Sequence, residues 1–213
     1  MLVGERMSRP PIIVPPEMSI LDALALFKKE HIRRAPVIKG GKLAGIVSEK
    51  DLLNASPSPA TTLSVWEMNY LLSKLTVEKV MTKDVITVTE DTPIEEAARI
   101  MADNKIGGLP VVKGARVVGI ITETNLFKMF LELMGAREHG VRVTALVEDK
   151  PGMLAQLTRA ISEAGGNFLA FGQFVGEDVN TRVVTFKVNG LGRDKVKKTI
   201  LDIVAKIWDI REM

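Results

Sequence analysis

Two hydrophobic rhythms run along this chain. Leu21, Leu24 and Ala25 recur at helical spacing, as do Ile94, Ala97, Ala98 and Met101. Each of these stretches follows a short β-rich run, Ile12–Val14 or Ile86–Val88. Each also opens on a capping-box-like start: Ser19 with Asp22 three residues on, and Thr92, Pro93 and Glu95. A hairpin is predicted next, Pro36–Ile38 and Leu43–Val47 around Gly40-Gly41. Its counterpart is Pro110–Val112 and Val117–Ile121 around Gly114-Ala115. Second helices begin near Ser48 and Thr122, so each unit reads β-α-β-β-α.

The two series are copies. Shifting the chain by 74 residues lays Met7–Leu53 over Met81–Phe127 without a gap, with 14 of 47 positions identical. A unit of roughly 50 residues buries too little surface to be comfortable alone. The copies are therefore expected to share a core about a pseudo-twofold axis, leaving two related clefts for a flat ligand. Residues 54–64, with two prolines among Ser, Thr and Ala, mark the break between them. Beyond it, Val65, Met68, Leu72 and Leu75 predict an amphipathic helix with Trp66 and Tyr70 on the neighbouring face.

After Gly135 the period changes. Val141, Val143, Ala145 and Val147 alternate with Arg142, Thr144 and Leu146, which is strand spacing. Leu154, Leu157, Ile161 and Ala164 predict a helix stopped by Gly165-Gly166. Phe168–Val175 and Arg182–Val188 read as strands, Val196, Ile200, Ile203 and Val204 as a helix, and Lys206–Arg211 as a last strand. The order βαββαβ is ferredoxin-like. The expected fold is α+β, divided into 1–55, 56–76 (linker and helix), 77–135 and 139–213.

Composition narrows the function. The 213 residues include no cysteine, which excludes disulfides, thiolate metal sites and Cys nucleophiles. His31 and His139 are the only histidines. Neither a P-loop nor a nucleophile–base pair is visible, so no catalytic or metal site is expected and the chain reads as non-enzymatic. The net charge of +3 forms no basic stripe; Arg33-Arg34 and Lys195-Lys197-Lys198 are the nearest clusters, which argues against nucleic acid. No apolar run approaches the ~20 residues of a membrane span, and the N-terminus lacks a secretory h-region. A reducing cytoplasm is the expected compartment.

The candidate chemistry lies where the last strand of each copy meets its helix: Gly45-Ile46-Val47-Ser48-Glu49-Lys50-Asp51 and Gly119-Ile120-Ile121-Thr122-Glu123-Thr124-Asn125. Two readings fit. In one, Ser48 and Thr122 are helix N-caps, with Asp51 and Asn125 at the third helical position. In the other, the hydroxyl and helix-start amides meet a phosphate, and the carboxylate one turn on accepts both hydrogens of a ribose cis-diol. Apolar walls for an adenine would come from Ile12, Val14 and Ile32 to Pro36, or from Ile86, Val88 and Ile106 to Pro110. Arg33 and Arg34, aligned with Gly107 and Gly108, would add positive charge on the Asp51 side.

The tandem repeat with its Gly-x-x-Ser/Thr-x-x-Asp/Asn junctions resembles a pair of CBS domains, a Bateman module. The resemblance covers about residues 1–135. It implies a regulatory sensor whose ligand contains adenosine: AMP, ADP, ATP or S-adenosylmethionine, with no obligatory cofactor. It assigns phosphate to Ser48 and Thr122 and ribose to Asp51. Asn125 departs from the usual Asp and loses the charge-assisted part of a diol contact, about 1 kcal/mol. The segment Val147–Phe168, with Asp149-Lys150-Pro151-Gly152 and Gly166-Asn167, resembles the opening of an ACT domain. That implies pairing into a homodimer and an amino acid held near Asp149, Gly152 and Asn167. A CBS pair followed by one ACT domain is similar to the acetoin-utilisation accessory protein B family, which implies a link to acetoin or acetate metabolism. A transcriptional regulator on nucleic acid and a ligand-free oligomerisation module are the alternatives.

Overall fold

In the computed structural model, residues 1–55, 70 and 74–213 are described. They form two units, Met1–Leu126 and Phe127–Met213. The first copy in unit one contains α1 (Val3–Arg6), α2 (Ile20–Lys29), the hairpin β1 (Arg34–Lys39) and β2 (Lys42–Ser48), and α3 (Glu49–Asn54). The second contains α4 (Ile94–Asn104), β3 (Gly108–Lys113) and β4 (Arg116–Thr122), and α5 (Glu123–Leu133), along which the chain passes into unit two. The helix expected over Val65–Leu75 lies mainly outside the described residues.

Pairings in unit one recur 74 residues apart. Val14 bridges Val37 as Val88 bridges Val111; Ser8 bridges Ile120 as Thr82 bridges Ile46; Leu2 bridges Pro93 as Thr76 bridges Ser19. The last two pairs cross between copies. Val3 N–H donates to the Thr92 carbonyl, while Val77 N–H donates to that of Met18, both at 2.9 Å. Each copy thus lends its leading segment to the other. Val77 lies accordingly in the first copy's core with Ile20, Phe27, Val37 and Leu52.

The expected first strands, Ile12–Val14 and Ile86–Val88, shrink to single bridges at Val14 and Val88. In the first copy Pro10, Pro11, Pro15 and Pro16 surround the bridge and offer no N–H. The second copy has Asp84, Val85, Thr89 and Glu90 at those positions and stops at the same single bridge, so proline alone does not set its length. Ser19 caps α2 as expected, its hydroxyl accepting from Asp22 N–H at 3.1 Å. In the second copy Pro93 is the cap residue, and the Thr92 hydroxyl accepts from Thr89 N–H instead.

Unit two holds β5 (Val141–Glu148), α6 (Met153–Glu163), β6 (Asn167–Val175), β7 (Thr181–Asn189), α7 (Arg193–Ile200) and β8 (Lys206–Glu212). The antiparallel sheet runs β6-β7-β5-β8. Alternation puts Val141, Val143, Ala145 and Val147 into one core with Leu157, Ile161, Phe186, Val196 and Ile200. Both helices therefore cover the same sheet face. Helix α7 stops at Ile200, short of the expected Ile203 and Val204, which follow in a turn; Val204 still reaches the core.

Candidate functional site

Beside α3 lies a cavity of about 440 Å³, within the ~300–1,000 Å³ range of small-molecule sites. Its residues come from both copies. The first contributes Arg33, Arg34, Ile46, Ser48, Glu49, Lys50 and Asp51; the second contributes Thr82, Asp84, Val85, Ile86 and Lys105 to Gly108. The exchanged segment brings them together: Thr82 and Ile46 trade two backbone hydrogen bonds of 2.9 Å, seating the following Asp84–Ile86 against the β2 end.

Ser48 and Asp51 form a reciprocal capping box. Asp51 Oδ2 accepts from the Ser48 amide at 2.8 Å and from its hydroxyl at 2.6 Å, while Asp51 N–H donates to Ser48 Oγ at 3.3 Å. Asp51 Oδ1 accepts no hydrogen bond from any described side chain or backbone group, and the half-buried residue lines the cavity. Glu49 N–H is spent on the Arg33 carbonyl at 2.8 Å, so the start of α3 offers fewer amides to a phosphate than the sequence suggests. The cations Arg33, Arg34, Lys50 and Lys105 supply the positive charge instead, against Glu49, Asp51 and Asp84. Arg34 is only 20% exposed; burial lowers its pKa, and Glu123, 4.0 Å away, opposes that shift.

At the second junction, Asn125 Oδ1 accepts from the Thr122 amide at 2.9 Å and the Thr122 hydroxyl at 2.6 Å. Its Nδ2 donates to the Arg6 carbonyl at 3.0 Å.

Of the residues expected at a nucleotide, the structure gathers Ser48, Asp51, Arg33, Arg34, Ile86, Ile106 and Gly107 around one cavity. Thr122 and Asn125 stand at the other junction, with Ile12 and Ile32 outside this cavity. Val14, Val88, Pro36 and Pro110 are buried; Val14 and Val88 are core residues rather than walls. Ile46, Glu49, Lys50, Thr82, Asp84, Val85 and Lys105 escaped sequence reasoning. The 74-residue offset was the usable signal, because it implies reciprocal packing and hence a cleft with one wall from each copy.

In unit two, Asp149 is held by Arg182, whose Nε and Nη2 donate to Oδ2 at 2.9 and 2.8 Å. Gly152, at φ +84°, precedes α6 and lines a groove of about 400 Å³ with Gln156, Arg159 and Glu163. Neither Asp149 nor the exposed Asn167, which starts β6 opposite Asn189, lines that groove. Among the described residues, no three His, Asp or Glu side chains are placed to hold a metal, and no helix is long and apolar enough to cross a membrane.

Residues 3–58 and 77–132 each match the CBS domain model, together more than half the chain. The chain is a CBS-domain protein. An ACT domain match over residues 141–205 follows the pair. This CBS-domain protein is 34% identical over 131 residues to the L-aspartate semialdehyde sulfurtransferase of Methanocaldococcus jannaschii. The match takes in 61% of the chain but only 23% of that enzyme. Three solved structures are each 32% identical to this chain. The CBS pair of protein MJ0100, in complex with 5′-methylthioadenosine and S-adenosyl-L-methionine, covers 65% of the chain and 98% of its own, at a TM-score of 0.52. CBSX2 in complex with AMP covers 62% and 97%, at 0.52. A candidate acetoin utilization protein of Vibrio cholerae covers 65% and 96%, at 0.53.

Proposed function

We propose that this chain is a non-enzymatic regulatory protein that takes an adenosine-containing ligand in the cleft at Asp51. The carrying observation is a carboxylate oriented by Ser48, its Oδ1 without a hydrogen bond from a described group, on the lining of a cavity built by both copies. In this reading Asp51 accepts the ribose diol, Ile46, Ile86 and Ile106 flank the base, and Arg33, Arg34, Lys50 and Lys105 meet an anionic tail. The complexes of MJ0100 and CBSX2 support an adenosine compound as ligand. Because the cavity walls belong to different copies, a ligand bridging them binds one packing of the pair better than another, which is what regulation by a small molecule requires.

The ACT unit would pair two chains and receive a second signal, an amino acid near Gly152 and Asn167. The likeness to the Vibrio cholerae protein supports a place in acetoin metabolism.

A thermal-shift series with AMP, ATP, S-adenosylmethionine and amino acids tests the reading. At ligand concentrations about 100-fold above Kd, native-state stabilisation is about 2.7 kcal/mol, and the melting temperature rises by several degrees. Asp51→Ala removes that rise. No rise with any adenosine compound at millimolar concentration overturns the proposal in favour of a ligand-free oligomerisation module.

A further inference from the structure

The two junctions are copies in sequence but differ in what satisfies them. Asp51 keeps one oxygen free; Asn125 keeps nothing. Its carbonyl oxygen takes the Thr122 amide and hydroxyl, and its amide donates to the Arg6 carbonyl at 3.0 Å and reaches Ser8 Oγ at 3.5 Å. A carboxylate there has no proton with which to hold Arg6, so the Asp-to-Asn departure matches a group tied to the chain itself.

A second asymmetry lies between the clefts. Arg34 aligns with Gly108, and Glu49 with Glu123. The Arg34 guanidinium lies over Gly107 and Gly108, in space that a Cβ on Gly107 would fill, and comes within 4.0 Å of the Glu123 carboxylate. The reverse contact has no counterpart, because Gly108 carries no side chain to send back to Glu49. One cation therefore crosses the pseudo-axis, in one direction, onto the strand and helix start that would form the second site.

We infer that the CBS pair has one working cleft, and that its twin is held shut by Arg34 laid over Gly107-Gly108 and by Asn125 tied to the Arg6–Ser8 segment. The chain then binds one equivalent of nucleotide, at Asp51. This rests on the proposed adenosine reading of that cleft. Arg34 contributes to both ends: it lines the open cavity and closes the other.

Titration calorimetry on the full chain, with AMP and with S-adenosylmethionine as probes, tests the inference. The expected stoichiometry is one per chain, falling to no measurable binding in Asp51→Ala. The triple variant Asp51→Ala/Arg34→Gly/Asn125→Asp is expected to regain one equivalent through the reopened twin. Two equivalents in the wild-type chain overturn the inference and leave the adenosine reading standing. One equivalent retained in Asp51→Ala overturns the inference together with the placement of the ligand at Asp51. A triple variant with a native melting transition that binds neither probe also overturns it. Absence of binding to the wild-type chain instead overturns the function itself. The wild-type count needs no variant to fold.

Discussion

Met81 presses its thioether against the face of Gly45. A Cβ on Gly45 would lie 2.5 Å from Met81 Sδ and 2.8 Å from the backbone oxygen of Thr82. The glycine at the head of the junction motif thus serves packing between copies: it lets the exchanged segment reach the strand that ends at Ser48.

The twin contact, Met7 against Gly119, differs in what would have to yield. There the three atoms nearest an added Cβ all belong to the Met7 side chain, which can move. Gly45→Ala is expected to cost about 1–3 kcal/mol, as overpacking does, and Gly119→Ala less. Thermal melts of the two variants check the order, and equal losses would contradict it.

Lys187 supplies a second measurable contribution. It is 3% exposed, and its Nζ donates to the carbonyls of Gly135 and Glu138, both at 2.9 Å, fastening the segment before β5 to β7. Lys187→Met keeps the length of the stem and leaves both carbonyls without this donor. The expected loss is about 1–3 kcal/mol, read by chemical denaturation, with faster amide exchange over residues 135–140.

Phe186 is 1% exposed in the unit-two core and stacks near Phe168 and Phe171. Phe186→Ala is expected to cost about 3–5 kcal/mol. The far-ultraviolet melting curve should lose the sheet of unit two first.

Cations at the open cleft predict a charge preference. Lys105, at φ +53°, and Lys50 line it from opposite copies. Lys105→Ala is expected to weaken AMP by roughly 1.5- to fivefold, as loss of an exposed charge pair does. The loss for adenosine, which has no phosphate, should be smaller. Equal losses for both would place the phosphate elsewhere.

Acid tests Asp209. Hydrogen bonds from Arg211, reinforced by the charge of Arg142, hold its carboxyl below the usual carboxylate range. Because the folded pKa is the lower one, the stabilisation is present above the unfolded value and is lost as pH falls through the depressed folded value. Asp209→Asn should therefore lower the melting temperature at about pH 6, and the difference should shrink as the pH falls through the depressed folded value. A carbon-detected NMR titration should show Asp209 protonating after the exposed aspartates.

The repeat and its hairpins were legible because hydrophobic period and paired glycines are local signals. Both turns, Gly40-Gly41 and Gly114-Ala115, stand where the spacing puts them. The Ser48–Asp51 pair was legible for the same reason: three residues separate a cap from its reciprocal partner. What escaped was non-local. Nothing in Ile12–Val14 distinguishes a strand from the single bridge that Val14 makes to Val37. Nothing near Asp51 announces that Asp84, Val85 and Lys105 will face it. Those residues arrive through the exchange of leading segments, which spacing within one copy does not encode. Arg34 shows the limit most sharply: the alignment with Gly108 was visible, but that the side chain spans the axis depends on the three-dimensional approach of the two strands.

The reciprocal loan of leading segments bears on ancestry. Among the described residues, each backbone hydrogen bond between the copies has a counterpart 74 residues away, so two separate short chains, each embracing the other, would satisfy the same backbone set. Such a homodimer has identical sites by necessity, since one gene writes both. Fusion into a tandem polypeptide lifts that constraint. From then on, a residue on one side can change while its equivalent does not, and the Arg34–Gly108 mismatch is what such freedom leaves behind.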